Sequence, residues 1–142
     1  MENGDVQKTA ESVISKQKIV YLGSVNENGF PEIRAMLAPR KRDGIKTFYL
    51  TTNTSSSKIS QFKNNDRASL YFCNETFFKG VLLTGEIQIL QDEGSKEMIW
   101  RKGDTKYYPG GVTDPDYCVL KFIARSGRMY GNYSVAEFDI EQ

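Results

Sequence analysis

The chain has 142 residues, of which 39% are hydrophobic and 12% aromatic, and this length and composition predict one folded domain over residues 1–142. Nineteen basic and eighteen acidic residues give a formal net charge of +1, so we expect neither a nucleic-acid partner nor binding to a membrane surface. The absence of histidine excludes His-ligated zinc and haem sites and Ser-His-Asp hydrolysis, and we predict no metal site.

The first predicted elements are a helix and a β-hairpin. Apolar residues at helical spacing predict a helix over Asp5–Ser15. Strand-like segments follow at Lys18–Val25 and Pro31–Leu37. The turn Asn26–Gly29 between them contains Asn-Gly, which supplies the positive φ that a tight hairpin requires. These two segments are therefore predicted to pair as antiparallel strands.

The second of these strands has two different faces. Three apolar residues alternate along it with a more polar set, namely Ile33, Ala35 and Leu37 against Glu32, Arg34 and Met36. Alternation of this kind is typical of a half-buried strand. We expect the apolar set to face the core, which would place Arg34 on the outer side of the sheet.

The remaining elements predict a mainly β protein. In chain order they are a turn at Arg40–Gly44, a strand at Thr47–Thr52, a helix at Lys58–Asn64, strands at Ala68–Cys73 and Gly80–Leu90, a helix from Asp92 to Trp100, a loop at Gly103–Asp116, a strand at Tyr117–Ala124, a turn at Arg125–Arg128, and short strands at Met129–Tyr133 and Ala136–Ile140. Gly85, inside the fifth strand, indicates a bulge, a bend or the close approach of another group. Six or seven hairpin-connected strands with about three helices favour a closed antiparallel barrel with peripheral helices.

The segment between the third strand and the second helix is rich in hydroxyl groups. Six Ser and Thr side chains and one Asn lie between Leu50 and Lys58. A helix N-terminus offers unpaired backbone N–H groups and the positive end of the helix dipole, and Lys58 adds a full charge. This arrangement suits a phosphate group. The alternative is that one Ser caps the helix and the rest is a polar loop.

Arg34 gives the hydroxyl-rich turn a possible partner. The strand that contains it lies next to the third strand in the hairpin order, so Arg34 could approach the turn that ends at Lys58. An Arg binds a dianion through its planar fork and a Lys through its point charge. The alternative is a solvent-facing Arg with no functional role.

The order and spacing of these elements resemble a known family. The carrying segments are residues 21–36 (YLGSVNENGFPEIRAM), 48–72 (FYLTTNTSSSKISQFKNNDRASLYF) and 81–90 (VLLTGEIQIL). They are similar to the pyridoxamine 5′-phosphate oxidase-like, FMN-binding split-barrel superfamily, and in particular to its small general-stress-protein branch. The resemblance implies a six-stranded antiparallel split β-barrel. It also implies a homodimer with FMN at the subunit interface.

The resemblance assigns a role to individual positions. It implies phosphate binding by Arg34 and Lys58, with Ser57 as the neighbouring hydroxyl. Thr51 and Thr52 match the strand end along the ribityl chain. The backbone beside the isoalloxazine ring matches three consecutive residues, Ala35, Met36 and Leu37. Contacts from the second subunit align only loosely, with Phe77, Phe78, Lys79 and Trp100, and for Trp100 we favour a packing role.

The implied cofactor is FMN, with FAD or another flavin as the less favoured choice. A bound flavin carries the redox chemistry itself, so the lack of histidine is compatible with a flavin-dependent oxidoreductase acting on a small molecule. No residue stands out as a catalytic acid or base. Two alternatives therefore stay open: a non-catalytic flavin-binding sensor or carrier, and a dimeric interaction protein without a cofactor.

We expect a cytoplasmic location. The N-terminal residues Met1–Asp5 are polar and acidic, unlike a secretion signal. Cys73 and Cys118 lie far apart in apolar segments, which favours buried free thiols in a reducing compartment over a disulfide.

Overall fold

The computed structural model describes residues 3–74, 78–131 and 133–142, which form one eight-stranded antiparallel sheet with three α-helices. The elements are α1 Asn3–Ile14, β1 Ile19–Val25, β2 Pro31–Leu37, β3 Lys41–Asp43, β4 Thr47–Asn53, α2 Ser57–Asn64, β5 Arg67–Asn74, β6 Lys79–Leu90, α3 Glu93–Met98, β7 Tyr117–Gly131 and β8 Ser134–Asp139. Two 3₁₀ turns, Asp104–Lys106 and Gly111–Thr113, lie between α3 and β7. The predicted mainly β class is confirmed.

The sheet curls into a barrel that is open along one seam. Its strand order is β2-β1-β5-β6-β7-β4-β3, with β8 paired to β7. β2 lies against β4, but within the described ranges no hydrogen-bonded ladder joins these two strands. This is the predicted split barrel. The sheet has eight strands rather than the implied six, because Lys41–Asp43 pairs with β4 and Ser134–Asp139 pairs with β7.

One predicted turn, at Arg125–Arg128, is wrong. β7 runs without interruption from Tyr117 to Gly131. Thr84 pairs with Ser126 and Gly85 with Ala124, so Arg125 is the extra residue of a β-bulge. The expectation for Gly85 is confirmed, because a Cβ there would lie 1.9 Å from the backbone oxygen of Ile123.

The orientation predicted for β2 is also wrong. Ile33 is 73% exposed and Leu37 is 47% exposed, whereas Met36 is buried. Arg34 shares the face of Met36 and points inward, because side chains two apart in a strand project to the same side. Alternation identified two faces correctly, but the apolar face of β2 lies outside.

The core has two parts on opposite faces of β7. The main one fills the barrel and includes Phe48, Phe72 and Phe122, with the apolar face of α1 closing one end. The smaller part packs α3 and the following loop against the sheet through Tyr117 and Tyr108, whose ring centroids lie 4.7 Å apart. The described residues include no helix long and apolar enough to cross a membrane.

Candidate functional site

The first turn of α2 contains a buried ammonium group. Lys58 is only 8% exposed. Its Nζ donates hydrogen bonds to Thr52 Oγ1 at 2.9 Å and to Ser56 Oγ at 2.7 Å. Burial lowers the pKa of Lys58, and the positive charge of Arg34 lowers it further. The structure therefore brings Lys58 and Thr52 together, and places Arg34 close enough to repel the ammonium.

Among the described residues, no carboxylate forms an ion pair with this lysine. Within the part of the chain that the structure describes, the ion pairs involve five arginines and none involves Lys58. Hydroxyl oxygens offer only partial charges, and a buried ammonium without a counter-ion is unfavourable. The site is thus complementary to an anion.

Arg34 is held in place by the inner face of β1 and by α2. Its Nη1 donates to Ser24 Oγ at 2.8 Å and to the Leu22 carbonyl at 3.1 Å, and its Nη2 donates to Gln61 Oε1 at 3.3 Å. Burial lowers the pKa of Arg34, an effect that Glu32, 3.7 Å away, partly opposes. A guanidinium fixed on several sides can present its remaining surface to a ligand in one orientation.

Glu32 forms a long ion pair with Arg34, at 3.7 Å, and it forms none with Lys58. Its Oε1 accepts from Gln61 Nε2 and its Oε2 from Asn26 Nδ2, both at 2.9 Å. These hydrogen bonds lower the pKa of Glu32. Its carboxylate is thus committed to holding Gln61 and the β1–β2 turn.

The start of α2 does not have the predicted serine cap. Ser56 is the N-cap residue, but its side chain makes no capping hydrogen bond; its Oγ accepts from Lys58 instead. The interpretation of the turn as a simple helix cap is therefore not supported. Ser57 is the first helical residue and is exposed, so its hydroxyl is accessible beside Lys58.

Thr51 lies on the other face of β4 from Thr52. Thr52 is 5% exposed on the inner side together with Leu50. The Thr51 side chain instead lies on the opposite face with Tyr49, which packs against the smaller core. The structure therefore brings Thr52, Ser57 and Lys58 to one place, and leaves the Thr51 side chain out of it.

Three residues of β2, Ala35, Met36 and Leu37, were predicted to border the flavin ring with their backbone. Two of them present backbone groups at the free edge of the strand. Ala38 N donates to Lys18 O at 2.9 Å, and residues of an antiparallel strand turn alternately toward and away from their partner. Met36 therefore faces β1 with its N–H and C=O. The corresponding groups of Ala35 and Leu37 face the open edge at the seam.

The loosely aligned residues have varied placements. Phe77 lies outside the described residues. Phe78 is 86% exposed. Trp100 packs against Tyr117, with ring centroids 5.2 Å apart, as its predicted packing role requires.

Several site residues were missed from the sequence. Ser24, Gln61 and Ser56 each contact Arg34 or Lys58 through their side chains. Gln61 had a usable signal, since it lies three residues after Lys58 on one face of α2. Ser24 had a weaker one, as the only polar residue on the inward parity of β1.

Replacing Lys58 with Met is expected to make the ligand-free protein about 1 kcal/mol more stable, because it removes an unpaired buried charge. Because the pKa of Lys58 is lowered in the folded state, its charged form makes folding of the wild type less favourable. The difference in free energy of unfolding between Lys58→Met and wild type should therefore narrow as the pH rises toward 10.5. Urea unfolding at pH 7 and pH 9.5 measures both effects. Lys63→Met, at an exposed position of the same helix, is the control. A Lys58→Met protein less stable than wild type would contradict the assignment of an uncompensated charge.

Comparison with known proteins identifies the family. The family model described as pyridoxamine 5′-phosphate oxidase matches residues 6–131. A pyridoxine/pyridoxamine 5′-phosphate oxidase of Agrobacterium fabrum is 33% identical over 82 residues, which span 58% of this chain and 39% of that protein.

Solved structures agree. A Clostridium acetobutylicum protein, described as related to general stress protein 26 of B. subtilis and as of the pyridoxinephosphate oxidase family, is 39% identical with a TM-score of 0.87, covering 99% of this chain and 97% of that one. General stress protein 26 of Bacillus anthracis shares the fold, with 17% identity, a TM-score of 0.76 and coverage of 94% and 98%. The chain belongs to the pyridoxamine 5′-phosphate oxidase family.

Proposed function

We propose that the protein binds FMN and acts as a flavin-dependent oxidoreductase on a small molecule. The observation that carries the proposal is the buried Lys58, which has no carboxylate partner among the described residues and whose pKa is lowered further by the positive charge of Arg34. A phosphate dianion would satisfy both cations at once. The residues present therefore fit the phosphate end of the cofactor.

The seam fits the rest of the cofactor. Thr52 and Ser57 would contact the ribityl and phosphate part, and the edge of β2 would border the ring. A flavin ring needs hydrogen-bond partners along its pyrimidine edge and apolar surface on its faces. Ala35 and Leu37 offer free backbone groups at that edge. When bound, the flavin supplies hydride or electron transfer, while the protein binds and orients it.

We further propose a homodimer with the flavin at the subunit interface. The outer face of β1 and β2 carries exposed apolar side chains: Ile19, Tyr21, Ile33 and Leu37. This face continues into an open groove of about 970 Å³ across β5 and β6. Exposed apolar surface of this extent is typical of a protein–protein interface. Since β2 carries both this face and the free edge, a second copy would cover the ring site.

One observation supports a non-catalytic alternative, in which the protein holds a flavin as a sensor or carrier. Glu32, the carboxylate nearest to Arg34, is occupied by Gln61 and Asn26. The described side chains that contact Arg34 or Lys58 otherwise carry hydroxyl or amide groups, which are poor acids and bases near neutral pH: Ser24, Thr52, Ser56 and Gln61. A dimeric interaction protein without cofactor is the remaining alternative.

We also propose a cytoplasmic location. The two cysteines, Cys73 and Cys118, are free thiols, which suits a reducing compartment.

The test is a flavin titration of the purified protein together with native mass spectrometry. We expect visible flavin absorbance, a preference for FMN over FAD, and a species of two chains with two FMN molecules. Oxidation of NAD(P)H or another reductant in the presence of an acceptor would separate the oxidoreductase from the carrier. A protein with no flavin absorbance and no FMN affinity would refute the proposed function, and a dimer without flavin would favour the interaction protein.

A further inference from the structure

We propose that Asp116 is a positioning residue that holds the phosphate-binding turn in its binding geometry. The inference rests on the proposed function, because it assigns Asp116 a role in recognising the phosphate group of FMN. Asp116 lies just before β7, and it contacts neither Arg34 nor Lys58 through any described hydrogen bond or ion pair.

Asp116 binds three consecutive residues, the last of β4 and the first two of the turn that leads to α2. Its Oδ2 accepts from Asn53 Nδ2 at 2.8 Å, and its Oδ1 accepts from Ser55 N at 2.7 Å. Its backbone carbonyl accepts from Thr54 N at 2.7 Å. The chain of the turn is therefore fixed immediately before Ser56, whose hydroxyl holds Lys58.

These contacts extend the β4–β7 ladder beyond its last strand pair. Thr52 pairs with Cys118 and Asn53 with Tyr117. The bond from Thr54 N to Asp116 O adds one further step, and the Asp116 side chain closes the turn that follows. Asp116 thus determines where the chain leaves the sheet and where the first turn of α2 begins.

Asp116 is itself held in place by hydrogen bonds to the segment that follows α3. Its N–H donates to Asp114 Oδ1 at 2.9 Å, and Asp114 Oδ2 accepts from Gly110 N at 2.8 Å. Lys96 Nζ, in α3, donates to the Asp114 carbonyl at 3.1 Å. A rigid support of this kind limits how far a binding group can move from its productive position.

Asp116 carries a negative charge but, among the described residues, forms no ion pair with Arg34 or Lys58, so both cations stay available to a ligand. Hydrogen bonds from Asn53 and Ser55 lower the pKa of Asp116, so the carboxylate is ionised at neutral pH. Among the described residues, no ion pair joins it to a cation. Its effect on the phosphate is therefore geometric, acting through the turn.

The test compares FMN with riboflavin, which has the same ring and ribityl chain but no phosphate. In Asp116→Ala, FMN affinity should fall about tenfold to a hundredfold, by analogy with the loss seen when residues that orient the direct ligands of a metal are replaced. Riboflavin affinity should stay within about threefold of wild type. Asp116→Asn retains one acceptor oxygen and should give an intermediate FMN affinity.

Hydrogen exchange in the ligand-free protein provides a readout independent of flavin. Ser55 N–H should lose protection in Asp116→Ala and recover part of it in Asp116→Asn. Asp43→Asn is the matched control, because Asp43 is exposed and Asn-Gly preserves its hairpin turn. Unchanged FMN affinity in both Asp116 variants, or an equal loss for riboflavin, would overturn the positioning role while leaving FMN binding intact. A wild-type protein that binds no flavin would overturn the proposed function and this role with it.

Discussion

The double variant Arg34→Ala, Lys58→Met is expected to bind FMN about a hundredfold to ten-thousandfold more weakly than wild type, since each charge-assisted hydrogen bond contributes roughly 1.5–3 kcal/mol. Both lost groups are cations that would bind the phosphate in the proposed site, so riboflavin should lose little affinity. Quenching of flavin fluorescence during titration measures both dissociation constants, and their ratio isolates the phosphate contribution.

The control for this variant removes two positive charges elsewhere. Lys8→Met, Lys63→Met changes exposed lysines of α1 and α2, and it should leave FMN affinity nearly unchanged. An equal loss in both double variants would show that net charge, rather than the specific positions of Arg34 and Lys58, attracts the ligand. Retention of full FMN affinity by Arg34→Ala, Lys58→Met would refute the phosphate assignment.

Replacing Asp104 with Ala is expected to lower the free energy of unfolding by about 3–5 kcal/mol, because it leaves a buried arginine without its partner. Arg40 and Asp104 have side chains only 7% and 5% exposed. Arg40 Nη2 donates to Asp104 Oδ1 at 2.9 Å, and Arg101 N donates to Asp104 Oδ2 at 2.8 Å. Urea unfolding at pH 7 measures the loss.

The pH dependence of this effect has a defined sign. Burial acts to raise the pKa of Asp104, but hydrogen bonds from Arg40 and Arg101 outweigh it and lower the pKa below 3.8. The stabilisation is therefore present above the ordinary aspartate pKa, and it is lost as the pH falls through the lower folded-state value. The exposed pair Arg128–Glu137 is the control, and Glu137→Ala should change stability by less than about 1 kcal/mol. A similar loss in both variants would contradict the importance of burial.

Local sequence signals predicted most of the fold. Asn-Gly predicted the β1–β2 hairpin correctly, and Gly85 marked the bulge because only a residue without Cβ fits against Ile123. The segment predicted as a turn at Arg40–Gly44 instead contains the short strand β3, which pairs with β4. The prediction of a turn at Arg125–Arg128 was wrong. Ser-Gly with flanking charges is typical of turns, but long-range pairing with β6 keeps this part of β7 extended. Local propensity is weaker than such pairing.

In the candidate site, too, local sequence signals were predictive and long-range contacts were not. Hydroxyl density and Lys58 identified the turn, because both are local. Period-two alternation shows that the faces of β2 differ but not which one is buried. That choice depends on Ser24 and Gln61, which satisfy Arg34 on the inner side. Asp116 could not be predicted as a partner of the turn, since 61 residues separate it from Ser55.

The seam between β2 and β4 has a mechanical consequence. Every other junction within the barrel wall is a main-chain ladder, so widening it would break several hydrogen bonds at once. At the seam, β2 and β4 lie against each other without a ladder within the described ranges. Along the described strands, β2 and β4 can therefore separate without breaking a ladder hydrogen bond, which makes the seam the least strongly held line of the barrel wall.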